Sequence, residues 1–392
     1  MAKVKPNKSQ SRKNDRSSVN PTSASPSKAS TRAQSSTQLL AQATAVLQQG
    51  DIEGALPLAK RALKLVEADS IDALPALNLL GEIHVEFGDI DAARQSFLQA
   101  ANIDPNGEMP EVLGGGAEKF LWLAQLSEDG GADSVEWFGM GASTLRRQIQ
   151  NILNTTTVAT VETEMILEEK RRKLALALCG IVEVYMTDLS WEEDAEQKCE
   201  ALVTEATMVA PGFAEPWQTL ASVRISQVKI HDAKAALTRS LELWKDLPPE
   251  DEKVPEFPTR VSLARLLMEA EMEDDAIEVL ERLVGEDDSS VEVWYLGGWG
   301  LYIMGERQKA NVANGDIYKI SWISSRQWLN HSMRLFDVQD YEDERLGQHA
   351  KELIAVLDND LGRPVLDGED EAWEDDDESL DTKDDDEMME ES

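Results

Sequence analysis

The chain has 392 residues, and its 75 Asp and Glu against 38 Lys and Arg give a formal charge of −37, which repels a phosphate backbone and favours basic partners. That length allows two domains or one extended array. Two cysteines, Cys179 and Cys199, make no disulfide framework; no basic-then-apolar secretory segment opens the chain; and the longest apolar stretch, Leu174 to Val182, stops at Glu183, far short of a bilayer span, so the expectation is a soluble protein of the reducing cytoplasm or nucleus.

Residues 1–37 hold eight Lys or Arg against Asp15 alone, amid Ser, Thr, Asn and Pro. With almost nothing to bury, this segment is predicted to be a disordered basic arm. Residues 36–69 keep Gly50-Asp51, Ala55 and Ala62 at helix-pair spacing. Next, Leu77, Leu80, Gly81, Gly88-Asp89, Ala93, Phe97, Ala100 and Pro105 fill the small and large positions of a helix–turn–helix unit of about 34 residues, the tetratricopeptide repeat (TPR). Gly81 and Ala93 let two helices touch, and Pro105 stops the second. Phe120 to Leu126 and Val135 to Ala142 form a poorer pair about Gly130-Gly131, and the Thr- and Val-rich stretch Thr155 to Thr163 reads as an inserted loop.

Residues 163–210 read as a helix pair with a lengthened junction around Thr187 to Trp191. Trp217, Leu220, Ala221, Ala233 and Leu237 restore the strict spacing, as do Leu263, Ala264, Ala276, Leu280 and Leu283. Trp294, Gly298, Gly305 and Ala310 fall one period after Arg260, Ala264, Glu271 and Ala276. Asn311 to Asp316 interrupts the last repeat, after which Ser324 to Leu335 and Arg345 to Leu357 resume apolar helical spacing. The predicted fold class is all-α: a right-handed superhelical TPR solenoid of about seven helix pairs over 38–366, between disordered termini. The acidic tail, 367–392, holds 16 Asp or Glu and only Lys383. Setting aside the arm at +7 and the tail at −15 leaves −29 on residues 38–366, so the array is acidic in its own right.

Catalytic chemistry is sparse. His84, His231, His331 and His349 are scattered, and neither cysteine has a second ligand at metal spacing, so both cysteines read as helical core. No phosphate-binding loop occurs; Gly114-Gly115-Gly116 lacks a preceding strand and reads as a hinge. No enzyme, metal or cofactor is expected. Solenoids offer a curved surface lined mostly by the first helix of each pair, suited to an extended peptide. The repeat register puts Glu82, Glu86, Glu183, Asp188 and Glu269 on or near that side, with Tyr185, Tyr295, Trp299 and Tyr302 available to stack on guanidinium or hold apolar anchors. A clamp for the C-terminal carboxylate of heat-shock chaperones needs cationic and amide donors; Asn78 is present, but Glu82 stands where an Asn would be needed.

Three blocks are more specific than the repeat: Glu118-Lys119-Phe120-Leu121-Trp122, the run Cys179 to Glu192, and the run Asp288 to Trp299. In them the chain, over roughly 38–360, resembles the fungal TPR assembly chaperones dedicated to the large-subunit ribosomal protein L-four. The resemblance implies capture of a newly made basic client through its long internal loop, passage from cytoplasm to nucleus, an import receptor engaged through the client, and no direct nucleic-acid or membrane contact. It places binding on the concave face, at Glu183, Tyr185 and Asp188 and at Trp294, Tyr295 and Trp299. A histone chaperone using the same electrostatics, or a scaffold joining subunits, remains an alternative on the residues alone.

Overall fold

The computed structural model describes residues 34–156, 160–310 and 316–362. Most of the predicted arm, all of the predicted tail and residues 311–315 of the interruption lie outside them. Fifteen α-helices follow one another among the described residues: α1 Ser36–Leu47, α2 Ile52–Leu63, α3 Leu74–Glu86, α4 Ile90–Ile103, α5 Glu118–Gln125, α6 Gly131–Thr155, α7 Val161–Met186, α8 Ala195–Val209, α9 Glu215–Ser226, α10 Ile230–Glu242, α11 Phe257–Glu269, α12 Glu273–Glu286, α13 Val291–Ala310, α14 Ile317–Gln339 and α15 Glu344–Leu361. They make seven helix pairs and a final single helix, an all-α TPR solenoid. The first helix starts two residues before the expected boundary because Ser35 and Gln38 form a reciprocal cap, each side chain bonding the other's backbone N–H at 3.2 Å.

The chain divides into two compact units within α4, the first ending at Ser96 and the second beginning at Phe97. In the first, Ala43, Ala55 and Ala59 let α1 and α2 approach closely, and Leu79, Leu80 and Ile83 of α3 complete a small core. In the second, each helix from α5 to α14 packs on its successor, and α7, α9, α11 and α13 each also touch the helix two places on. The inserted loop is shorter than the sequence suggested: α6 runs to Thr155 and α7 starts at Val161. The Gly114–Gly116 stretch is fastened rather than a hinge. Asp104, at 4% exposure, accepts the backbone N–H of Glu108 and Met109, while Lys119, at 1%, donates to Asp104 and to the Gly116 carbonyl, both at 2.9 Å.

Four of the turns inside a pair use one left-handed residue. Gly50 and Gly88 supply it at φ 79° and 71°, whereas the turns after α9 and α11 use Val228 at φ 60° and Glu271 at φ 58°. A β-branched side chain is badly suited to that region, and Val228 buries little in return, being 82% exposed. Val228→Gly is therefore expected to stabilise the second unit by about 1 kcal/mol, the strain relieved exceeding the entropy lost to glycine; a lower melting temperature by calorimetry would contradict this.

Helices α13 and α14 pack closely along their length. A Cβ at Gly297 or Gly305 would overlap the ring of Trp328 or Trp322, and Ser325 and Ser332 reach across to the Gly298 and Val291 carbonyls at 2.6 and 2.9 Å. Because Trp322 is 1% exposed and cannot swing away, Gly305→Ala is expected to cost about 1–3 kcal/mol. Chemical denaturation with an unchanged midpoint would show that the pair can relax.

Candidate partner-binding groove

A groove of about 880 Å³ runs across the first helices of the second unit. Each helix contributes one stripe at helical spacing: Glu118, Leu121, Trp122 and Gln125 from α5; Lys173, Leu176, Gly180 and Glu183 from α7; Glu215, Thr219 and Ser222 from α9; Thr259, Ser262 and Leu266 from α11. Gly180 matters because a Cβ there would press on the Phe138 ring from α6, which forms part of the floor. More of the exposed lining is apolar than polar, and acidic and basic side chains stand in it together: Glu118, Glu183 and Glu215 with Lys173 and Arg265.

Most of those charges are already matched. Burial works against the Lys173 charge, but bonds from Glu118 and Glu169 overcome it and hold the ammonium above its usual value. Arg265 pairs with Glu292, and Arg172 with Glu215 at 3.5 Å. Glu183 differs. Its side chain reaches water at the groove mouth, yet no basic side chain among the described residues pairs with it, and desolvation by the surrounding walls pushes its carboxyl above the ordinary carboxylate range. Cys179 beside it is buried, its thiol pushed up to about 12 by desolvation, so it stays protonated and unreactive.

Of the residues singled out from the sequence, Glu183 lines the groove and Glu269 continues the α11 stripe one turn beyond Leu266, exposed. Glu82 and Glu86 belong to the first unit, half-buried and exposed respectively on α3. Asp188 is not a groove residue. Its Oδ2 accepts the Gly131 backbone N–H at 3.0 Å, tying the junction after α7 to the start of α6. Tyr185 is 8% exposed in the core, and the Lys198 ammonium lies 4.5 Å from its ring centre.

The α13 aromatics are also used internally. Tyr295 Oη lies 2.7 Å from His349 Nδ1 of α15, Trp299 meets the same imidazole edge-on at 5.4 Å, and Tyr302 stacks on Trp322 at 5.9 Å. Trp294 packs edge-on against Trp328 at 4.7 Å. These half-buried rings pack against side chains of α14 and α15. The sequence reading did not name Trp122, Leu176 or Arg265 as site residues, although Trp122 closes one of the three distinctive blocks and Leu176 lies within the apolar run Leu174 to Val182. Among the described residues no helix is long and apolar enough to cross a membrane, and no His, Cys, Asp or Glu group is placed to hold a metal.

A tetratricopeptide repeat model matches residues 40–108. A protein of Emericella nidulans described as a probable assembly chaperone of rpl4 is 48% identical over 355 residues, 86% of this chain and 87% of the relative. One of the same description in Schizosaccharomyces pombe is 32% identical over 304 residues, 76% and 85% of the two chains. A solved structure of an assembly chaperone of RpL4, Acl4, comprising that protein's residues 1–338, superposes with a TM-score of 0.67 at 56% identity, covering 71% of this chain and 99% of that one. With this identity over most of both chains, and with the helix pairs of the fold, the chain belongs to the family of the TPR assembly chaperones of rpl4.

Proposed function

We propose that this chain is a non-catalytic, dedicated chaperone for the large-subunit ribosomal protein L-four, holding a basic internal segment of the newly made client in the groove of the second unit. The observation that carries this reading is Glu183, an unpaired and partly desolvated carboxylate in a groove whose exposed lining is more apolar than polar. Such a site is incomplete until a cation with apolar neighbours fills it: the Arg or Lys head restores the missing counter-charge while flanking side chains cover Trp122 and Leu176. Off the ribosome, a client's basic extension has no core of its own, and capture keeps it soluble and away from stray RNA. The client then travels from cytoplasm to nucleus with an import receptor engaged through the client, and the chaperone itself touches neither nucleic acid nor membrane.

Isolating the tagged chain should yield L-four as its stoichiometric partner; core histones, or a fixed set of neutral subunits, would overturn the reading. The −29 carried by residues 38–366 should also steer the encounter. The association rate is expected to fall as added salt shortens screening to about 8–10 Å or less, with dissociation changing less, and stopped-flow rates insensitive to salt would remove electrostatic steering from the account.

A further inference from the structure

A second cavity, of about 430 Å³, opens between α7, α8 and the end of α9, lined by Tyr185, Ser190, Glu196, Cys199 and Val228 among others. Its wall toward the groove is Met186, which lines both cavities. We infer that this pocket is a continuation of the groove, taking the stretch of the same basic client segment that runs on past the residue paired with Glu183. The inference rests on the function proposed above and adds to it a path and an exit.

Three observations favour this occupant. The first is continuity: Glu183 and Met186 are three residues apart on α7, about 4.5 Å along the helix axis, so an extended chain with its cation at Glu183 reaches the Met186 wall within about two residues. The second is apolar surface exposed at the pocket. Val228 is 82% exposed and held in a strained backbone conformation where the first two pairs carry glycine, and Trp191, next to the lining residue Ser190, is 77% exposed with its indole N–H fixed on the Asp188 carbonyl at 3.0 Å.

The third is charge. The basic side chains nearby are committed: Lys198 to Glu192 and Asp194, and Arg224 and Lys229 to Glu200, whose carboxyl the Arg224 bond lowers to about 2. Glu196, in the pocket lining, has only the Gln227 amide as partner, at 3.0 Å. The pocket therefore offers apolar contacts beside an unmatched carboxylate, the same chemistry as the groove it adjoins.

The test places a photoreactive p-benzoylphenylalanine at Trp191 or, separately, at Leu176 in the groove, and irradiates each full-length chain with purified L-four. Attachment from both positions to neighbouring residues of one client segment is expected. Attachment from Leu176 alone, from Trp191 alone, or from the two positions to distant client regions overturns the inference, and the first of these leaves the groove reading standing. Attachment from neither removes the groove reading as well. Ser226→Trp, which fills the pocket from its exposed rim, is expected to speed client dissociation about 5- to 10-fold with association nearly unchanged. A correctly helical Ser226→Trp chain with an unaltered dissociation rate would equally overturn it.

Discussion

Replacing Glu183 by lysine is expected to weaken client binding by about 30-fold to several thousandfold, the equivalent of roughly 2–5 kcal/mol for reversing one partner of a partly desolvated charge pair. Helicity and melting temperature should hardly move, because Glu183 makes no internal ion pair and its side chain reaches solvent. Glu278→Lys and Glu281→Lys change the net charge equally on the exposed side of α12 and should alter affinity only slightly; equal losses from both sites, measured by titration calorimetry, would mean that bulk charge holds the client. Asp188→Lys is no substitute for Glu183→Lys, since it breaks the bond to Gly131 and mixes a folding defect into the result.

The raised carboxyl of Glu183 adds a pH signature. Desolvation penalises the ionised form, so this group lowers stability at pH above its raised value, and the penalty is relieved as pH falls through that value and the native chain takes up a proton the unfolded chain does not hold. A bound cation reverses the shift. Between the ordinary value of 4.5 and the raised one, binding should therefore release a proton and weaken as pH falls. Calorimetry in buffers of differing ionisation enthalpy should detect that proton with the natural chain and lose it with Glu183→Gln.

The largest effects on stability are expected at Asp104 and Lys119, buried at 4% and 1% exposure. Removing one member of such a pair leaves the other charge uncompensated, typically about 3–5 kcal/mol. Asp104→Ala should lie at the upper end, because it orphans the Lys119 ammonium together with the Glu108 and Met109 N–H groups. Lys119→Met should cost less, since Asp104 keeps both backbone donors and the methionine side chain can still cover Phe120, whose ring centre lies 4.5 Å from the lysine ammonium. Equal midpoints for the two variants in urea would mean that the loop backbone finds other partners.

The helix pairs were legible because close helix contact demands small residues at fixed spacing, and alanines such as Ala93, Ala221, Ala264 and Ala276 state that demand locally. Glu183 was legible for the same reason, since the first-helix register fixes its face. What the sequence could not convey lies in contacts between distant residues. Asp188 reads as a solvent carboxylate until Gly131, 57 residues away, is brought against it. Lys119 reads as surface until Asp104 and the Gly116 carbonyl close over it. Trp299 stands one period after Arg265 and so falls on the groove side, but His349 of α15 arrives there and takes the ring edge-on. Net charge misled in a different way: it counts carboxylates without saying which already hold a lysine or arginine, and in the groove Glu118 and Glu215 do.

That final helix has a consequence for the molecule among its own copies. A stack of similar pairs presents at its end the apolar face on which one more repeat would grow, and an unfinished end invites a neighbouring chain to continue it. Here α15 takes the next first-helix place, turns Leu346, Ala350, Leu353 and Leu357 inward, and leaves Arg345, Gln348, Lys351, Glu352 and Asp360 outward. Head-to-tail growth through that end would meet these charged and polar side chains where an unfinished stack would offer an apolar template.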